Sequence, residues 1–335
     1  MSAKPTPTYT RDIVVMGCSA GGVEALPRVL QQLSRNLPAA LFIVQHMAAT
    51  STPYLVGILS RSSPLPVAWA EQGDPVERGR ALVCPPDVHL LLAEGHVQLT
   101  RGPRENHARP AIDKLFRSAA AAYGSRVIGV LLTGMMGDGV AGLGAIRNAG
   151  GVVIVQDPLD AAYPELPGRA LLAVTPDRML PIDAVGVAIT SLVGEPVGPA
   201  QAPDELSLEA EIDREGQTSV DVLEKLGPQT TVACPECHGP LWQLGDEQLR
   251  RYRCYLGHVI TAAELLSAST SEVEAAMWSA VRALNDRATT LETLAEDSRR
   301  IGNGQSAEGF VIRAREARKQ AEVARRFMLD LGRAK

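Results

Sequence analysis

Three residues in the first 140 carry side chains that together suit nucleophilic chemistry on an ester: Ser19, His46 and Asp138. A serine hydroxyl is a weak nucleophile until a neighbouring base takes its proton. A carboxylate beside that base orients the imidazole and stabilises it once it is protonated. These residue types therefore predict a catalytic triad in which Ser19 attacks, His46 is the base and Asp138 is the orienting carboxylate. No cofactor is required for this chemistry.

Ser19 lies in the sequence GCSAGG, which fits the G-x-S-x-G nucleophile motif. The motif follows the apolar run DIVVM and opens a helical pattern, which places Ser19 in a strand–turn–helix context. Its glycines permit a sharp turn there, and the N-terminus of the helix offers N–H groups to an oxyanion. A phosphate-binding turn remains an alternative, although the G-x-G-x-x-G spacing is missing. Cys18 is a second candidate nucleophile, but alternation along the strand directs its side chain away from that of Ser19.

His46 and Asp138 also follow predicted strands. His46 ends the run FIVQHM, and Asp138 lies in the glycine-rich stretch LLTGMMGDGVAG. The carboxyl ends of parallel strands meet at one edge of a sheet, so we expect the three side chains to converge. Their chain order differs from that of α/β-hydrolases, which indicates another scaffold. The histidines at 89, 96 and 107 do not follow strands in this way and are predicted to be surface or loop residues.

The elements that must position these residues alternate between short apolar runs and helix-like stretches over residues 12–190. The apolar runs are rich in Val and Ile on successive positions, as are strands buried on both faces. This alternation predicts an α/β fold, with a doubly wound, mostly parallel sheet and helices on both faces. Residues 66–102 contain short strands and turns, which predict a β-rich excursion beside the sheet.

A change of composition divides the chain further. Residues 1–193 are predicted to form the catalytic domain, and residues 194–230 an acidic, mobile linker with at most one short helix. A compact Cys/His module is expected at 231–262 and a helical hairpin at 263–335. Two apolar stripes at helical spacing predict the hairpin; they comprise Val273, Met277, Val281, Leu284, Ala288 and Leu291, then Phe310, Ala314, Ala317, Ala321, Ala324, Met328 and Leu331. The stripes favour packing of the two helices on each other, and a regulatory partner at these helices is the alternative.

The Cys/His module carries four residues with metal-ligand spacing: Cys234, Cys237, Cys254 and His258. Two thiolates from a C-x-x-C knuckle, with a Cys and a His one helical turn apart, suit tetrahedral Zn²⁺. Because all four ligands come from the protein, the site is predicted to be structural, and the metal would supply folding energy that so small a module lacks. A redox C-x-x-C is the alternative.

Composition excludes several classes of protein. A formal net charge of −5 argues against a nucleic-acid binder, which presents a basic surface to phosphates. The N-terminal residues lack the apolar stretch of a secretory signal, and no apolar run reaches 18 residues, so we expect no membrane insertion. Five cysteines, three of them clustered, fit a reducing compartment. These features predict a cytoplasmic protein.

With these motifs in view, residues 12–190 resemble the catalytic domain of bacterial chemotaxis protein-glutamate methylesterases. The resemblance rests on the ordered segments GCSAGG, IVQHM, LVCPPDVHLLL, RPAIDKLFRSAA, LLTGMMGDG and GGVVIVQDPLDAAYPELP. It implies hydrolysis of glutamate methyl esters on methylated chemoreceptors, and deamidation of certain glutamines. It also implies that the triad falls on Ser19, His46 and Asp138. The oxyanion stabiliser would fall on the backbone around Met135, with Ala20 as a second candidate.

Two departures from the family pattern affect the expected function. Only eleven residues precede the first predicted strand, so we expect no receiver domain. Without that domain, the resemblance does not imply phosphorylation control in cis, nor does it fix the receptor as the substrate. Met136 stands where the family loop is expected to have glycine. A non-catalytic signalling adaptor and a small-molecule carboxylesterase remain alternative functions, and the C-terminal module is a candidate replacement for the receiver domain as a docking or inhibitory element.

Overall fold

The computed structural model describes residues 9–50, 54–199, 202–216 and 218–331. The strands, in chain order, are β1 Tyr9–Thr10, β2 Ile13–Cys18, β3 Ala40–Gln45, β4 Val67–Trp69, β5 Ala81–Val83, β6 His89–Ala93, β7 His96–Thr100, β8 Val127–Leu131, β9 Val152–Gln156, β10 Arg178–Leu180, β11 Pro196–Val197, β12 Gln229–Ala233, β13 Pro240–Leu244, β14 Arg251–Cys254 and β15 Val259–Thr261. The helices are α1 Gly22–Leu30, α2 Leu55–Ser62, α3 Ile112–Tyr123, α4 Val140–Asn148, α5 Glu165–Ala173, α6 Ile182–Leu192, α7 Asp204–Glu215, α8 Val220–Leu226, α9 Ala262–Arg300 and α10 Gly304–Leu331.

A seven-stranded parallel sheet, in the order β10-β9-β8-β2-β3-β5-β4, forms the centre of the first compact unit. Every residue of β2, β3, β8 and β9 is buried, which explains why these strands read as unbroken apolar runs. Alternate residues of β2 point to opposite faces: Val14 packs with α1, α2 and α6, and Val15 packs with α3, α4 and α5. The prediction of a doubly wound sheet with helices on both faces is confirmed.

Residues 66–102 depart in part from the prediction of an excursion beside the sheet. Strands β4 and β5 belong to the main sheet, where β5 pairs in parallel with β3. Only β6 and β7 form a separate antiparallel hairpin. The two sheet strands are three residues long, too short to show a hydrophobic period in the sequence.

The prediction of a mobile acidic linker is wrong for most of the segment that the structure describes between 194 and 230. Helix α7 packs against α3 and buries Leu206 and Ile212, and α8 follows it. Two of its acidic side chains, Glu209 and Asp213, lie one helical turn apart and are buried in ion pairs. The high number of acidic residues suggested a solvated linker because the basic partners of Glu209 and Asp213 lie far away in the sequence.

A buried charge cluster joins α7 to α3 and to β14. The side chain of Arg117 donates to both carboxylate oxygens of Glu105, at 2.7 and 2.6 Å, and to Asp213 at 2.8 Å. Lys114 and Arg253 also donate to Asp213, at 2.8 and 3.0 Å. Strand β14 belongs to the Cys/His module, so this module and α7 lie in one compact unit with the sheet, which extends to Glu264.

The second compact unit, residues 265–335, contains most of α9 and all of α10. Its buried positions include Val281, Ala288 and Leu291 on α9 and Ala314, Ala317, Ala321 and Met328 on α10, as the two stripes predict. Val273 is exposed, so the α9 stripe does not extend to that residue, and the side chain of Leu331 lies outside the description. Across the described residues, no helix is both long and apolar enough to cross a membrane.

Candidate active site

Ser19 occupies the sharp turn between β2 and α1. Its backbone N–H donates to the carbonyl of Thr133 at 3.0 Å, which fixes the turn to the end of β8. Gly21, the residue before α1, has φ +79°, and a Cβ on Gly22 would lie 1.9 Å from Oε1 of Gln45. The turn therefore depends on glycine at both positions, of which Gly21 belongs to the nucleophile motif and Gly22 follows it.

His46 directly follows β3 and contacts both partners of the predicted triad. Its Nδ1 lies 3.1 Å from Ser19 Oγ, and its Nε2 lies 2.6 Å from Asp138 Oδ2. A flipped ring would present carbon to both partners, so this orientation is fixed by the contacts. With Nε2 protonated, Nδ1 is free to accept the Ser19 proton.

Asp138 lies in the loop between β8 and α4, with its side chain buried. Besides His46, it accepts hydrogen bonds from the backbone N–H of Ile112 at 2.6 Å and of Asp113 at 3.2 Å, at the N-terminus of α3. Asn106 Nδ2 lies 3.3 Å from its other oxygen. Burial raises the pKa of Asp138, but these hydrogen bonds and His46 outweigh it, and the pKa falls below its ordinary value.

Asp113 is a second buried carboxyl next to Asp138, with the opposite tendency. Burial and the charges of Asp138 and Glu105 raise the pKa of Asp113 well above its ordinary value. Asp113 accepts one backbone N–H, from Gly142 at 2.6 Å, whereas Asp138 accepts two and also His46. We therefore assign the negative charge of this coupled pair to Asp138.

The triad opens into a cleft of about 1110 Å³, open solvent included. Met135 and Met136 line it together with Ser19, and both side chains are about half exposed. In the described part of the chain, the backbone N–H groups of Ala20 and Met135 donate to no protein acceptor. Both remain free to stabilise an oxyanion, although Ala20 is not among the residues that line the cleft.

Comparison with known proteins assigns the domain that carries this site. The sequence model of the CheB methylesterase family matches residues 14–189, just over half of the chain. The chain belongs to the CheB methylesterase family. The predicted resemblance is thereby confirmed.

Relatives of this CheB methylesterase domain include named proteins and solved structures. A protein-glutamate methylesterase/protein-glutamine glutaminase of Anaeromyxobacter dehalogenans is 40% identical over 190 residues, 57% of this chain and 56% of the relative. A protein of the same name from Symbiobacterium thermophilum is 38% identical over 186 residues, which are 55% of this chain and 51% of that relative. The chain thus spans about half the length of the curated relatives it matches. The crystal structure of the CheB methylesterase catalytic domain of Thermotoga maritima is 33% identical in sequence, with a TM-score of 0.54. The match covers 55% of this chain and all of the Thermotoga maritima domain.

Three polar residues of the CheB domain support the site and were missed in the sequence. Gln45 Nε2 donates to the carbonyls of Ser19 and His46, both at 2.8 Å. Thr133 Oγ1 donates to the Ala20 carbonyl at 3.1 Å, and Asn106 lies beside Asp138. Gln45 and Thr133 each end a buried apolar run with a polar side chain, which is the signal that could have identified them.

The other histidines and Cys18 follow the predictions unevenly. The prediction that His89 is a surface or loop residue is wrong: it begins β6 and is fully buried between the Pro103 carbonyl and the Ala111 N–H, and burial lowers its pKa to about 3. His96 and His107 are exposed, as predicted. Cys18 is buried, its thiol donates to Gln45 Oε1 at 3.0 Å, and burial raises its pKa. It faces away from the cleft.

The predicted metal ligands Cys234, Cys237, Cys254 and His258 come together in the Cys/His module. Their ligand atoms all lie within 4.8 Å of one another, and Cys234 and Cys254 are buried. Cys254 Sγ lies 3.6 Å from Cys237 Sγ and 3.4 Å from His258 Nδ1. Three sulfurs and one imidazole nitrogen form a donor set that zinc prefers.

Proposed function

We propose that this chain is a serine hydrolase that removes methyl groups from glutamate methyl esters through Ser19, His46 and Asp138. The observation that carries the proposal is the position of His46, whose two ring nitrogens bridge Ser19 Oγ and Asp138 Oδ2. Family membership and the names of the relatives support an ester as the substrate class. Methylated chemoreceptors or similar signalling proteins in the cytoplasm are the proposed substrates.

The proposed reaction has two steps. His46 Nδ1 takes the Ser19 proton as Oγ attacks the ester carbonyl, and Asp138 stabilises the imidazolium. Backbone N–H groups of Ala20 and Met135 stabilise the oxyanion. The C–O bond to the methoxy group then breaks, and methanol leaves with the proton from His46. Water, deprotonated by His46, attacks the acyl-enzyme and releases the glutamate carboxylate and the Ser19 hydroxyl.

The same residues support deamidation of a glutamine side chain, the second activity in the relatives' names. In that reaction the leaving group is ammonia, protonated by His46, and the acyl-enzyme is identical. The open cleft, which lies at the carboxyl edge of the sheet, suits a side chain presented on a protein surface. The C-terminal helices are a proposed site for a regulatory partner.

We further propose that Cys234, Cys237, Cys254 and His258 bind one structural Zn²⁺. The closed set of four protein ligands supports a structural role, because catalytic zinc sites keep a position for water. Metal analysis of the purified chain should give one Zn²⁺ per molecule, and Cys237→Ser should lose it. Cys84→Ser, a buried thiol outside the cluster, should retain it. Equal zinc content in both variants would contradict the assignment.

The proposed activity is tested by methanol release from methylated chemoreceptor membranes. We expect release by the wild-type chain and by Ser60→Ala, an exposed serine on α2, and none by Ser19→Ala. Release that persists in Ser19→Ala would contradict the nucleophile. No release by the wild-type chain, where a reference methylesterase is active, would favour an adaptor or a small-ester hydrolase. Labelling of Ser19 by a serine-reactive phosphonate would then distinguish those two.

A further inference from the structure

Asn106 connects the Cys/His module to the carboxylate of the triad. Its backbone N–H donates to the Val259 carbonyl at 2.8 Å, and its side-chain Oδ1 accepts the backbone N–H of Thr261 at 3.1 Å. Glu105 also forms an isolated parallel β-bridge with Val259. Strand β15 thus holds Asn106 by both its main chain and its side chain. Asn106 lies within the family domain, whereas β15 lies beyond its end at residue 189.

The orientation of the Asn106 amide is fixed by these contacts. Because Oδ1 accepts the Thr261 N–H, the amide nitrogen must face the opposite side. There Nδ2 lies 3.3 Å from Asp138 Oδ1 and 3.2 Å from Asp113 Oδ2. The Thr261 hydrogen bond at Oδ1 thus directs the Nδ2 donor of Asn106 towards the ionised Asp138.

The backbone of this loop has two successive residues in the left-handed region. Asn106 and the adjacent His107 have φ angles of +49° and +61°, a conformation that is uncommon outside glycine although Asn and His adopt it more readily than most residues. His107 Nδ1 lies 2.7 Å from Glu236 Oε1, a second contact with the module. The two segments that contact this loop, β15 and the one that carries Glu236, both adjoin predicted metal ligands. Glu236 lies between Cys234 and Cys237, and β15 begins directly after His258.

From this arrangement we infer that the metal-bound module positions the carboxylate of Asp138. The metal ligands hold β15 and Glu236 in place. Strand β15 and Glu236 in turn hold Asn106 and His107, and Asn106 orients Asp138. Asn106 is thus a positioning residue, and occupancy of the metal site controls how well Ser19 is activated. The inference rests on the proposed function of the triad, but not on the identity of its substrate.

The test measures the rate at which a fluorophosphonate probe labels Ser19 in the full-length chain, with Zn²⁺ and after its removal by a chelator. We expect Asn106→Gly, which keeps the left-handed backbone accessible, to slow labelling on the order of 10- to 100-fold, as small displacements of catalytic groups do. Zn²⁺ removal should slow the wild-type chain by a similar factor, and added Zn²⁺ should restore it. Asn148→Gly, the same change on an exposed part of α4, should label at the wild-type rate.

The decisive comparison is Asn106→Gly without Zn²⁺. If the metal acts through Asn106, its removal slows this variant no further, since the two effects share one path. Hydrogen exchange of residues 104–113 should also rise on metal removal while β8 keeps its protection, a readout independent of activity. Equal slowing of wild type and variant by metal loss, or wild-type labelling of Asn106→Gly, would overturn the inference. Absence of methanol release with intact labelling would affect only the proposed substrate.

Discussion

The backbone N–H of Ile112, the first residue of α3, donates to Oδ2 of Asp138 across 2.6 Å. The same oxygen faces His46 Nε2, so one carboxylate oxygen joins the N-terminus of a helix to the proposed catalytic base. The partial positive charge at this helix end favours the ionised carboxylate. The ionised form is the one that keeps the Nε2 proton in place and leaves Nδ1 facing Ser19.

Asp138→Asn should therefore lower kcat by about 10⁴-fold, because an amide nitrogen turned towards Nε2 favours the wrong tautomer of His46. The measurement is hydrolysis of an ester substrate under saturating conditions. Asp183→Asn, which removes an exposed ion pair with Arg28, is the matched control and should keep the wild-type kcat. Comparable losses in both variants would refute the role given to Asp138.

Gly22→Ala should destabilise the chain by about 1–3 kcal/mol, the usual cost of overpacking. Its Cβ would lie 1.9 Å from Gln45 Oε1, and Gln45 holds the carbonyls of Ser19 and His46, so activity should fall as well. Gly57 on α2 has no atom within 4 Å of an added Cβ. Gly57→Ala should thus be neutral or stabilising by up to about 1 kcal/mol. Denaturant unfolding compares the two variants, and equal destabilisation would contradict this account.

Cys18→Ser should retain activity within about a factor of three, a change of less than about 0.7 kcal/mol in the barrier. A serine hydroxyl can donate to Gln45 Oε1 as the buried thiol does, and a buried thiol with a raised pKa holds little thiolate. Ester hydrolysis by Cys18→Ser and Ser19→Ala, assayed side by side, checks this. Inactivity confined to Cys18→Ser would identify the thiol as the nucleophile.

Glu264→Gln should become more stable relative to wild type as the pH rises. Burial raises the pKa of Glu264, and its Oε2 has no hydrogen-bond partner. A folded-state pKa above the unfolded value gives stability that is complete below about pH 4.3 and is lost as the pH rises through the folded pKa. Glutamine does not titrate and therefore avoids this loss.

Urea unfolding at pH 4 and pH 8 measures this difference. Glu274→Gln, an exposed position on the same helix α9, is the control and should follow the wild-type pH dependence. A constant offset between Glu264→Gln and wild type at both pH values would show that Glu264 does not titrate between them.

Local patterns in the sequence were sufficient to predict β2, β3, β8 and β9, the four buried strands of the sheet, and the convergence of Ser19, His46 and Asp138. Ser19, His46 and Asp138 each follow a run of buried Val, Ile and Leu, and parallel strands bring such positions to one edge. The clustering of Cys234, Cys237, Cys254 and His258 was also predictable, because their spacing is local within one small module.

The features that were missed depend on partners distant in the chain. Asn106 and Thr261 are 155 positions apart, and no periodicity relates them. His89 reads as a polar residue, yet its two hydrogen bonds permit full burial. Likewise, α7 reads as an acidic linker until Lys114, Arg117 and Arg253 are seen around Asp213.

The buried charge cluster limits how this chain can change over evolutionary time. Loss of Asp213 alone would leave three buried cations without their shared carboxylate, and breaking a buried pair costs about 3–5 kcal/mol. Lys114 and Arg117 lie inside the CheB domain, whereas Asp213 and Arg253 lie beyond its end. A substitution at Asp213 that leaves α7 and β14 in place is therefore expected to require compensating changes at the buried cations, which lie on both sides of residue 189.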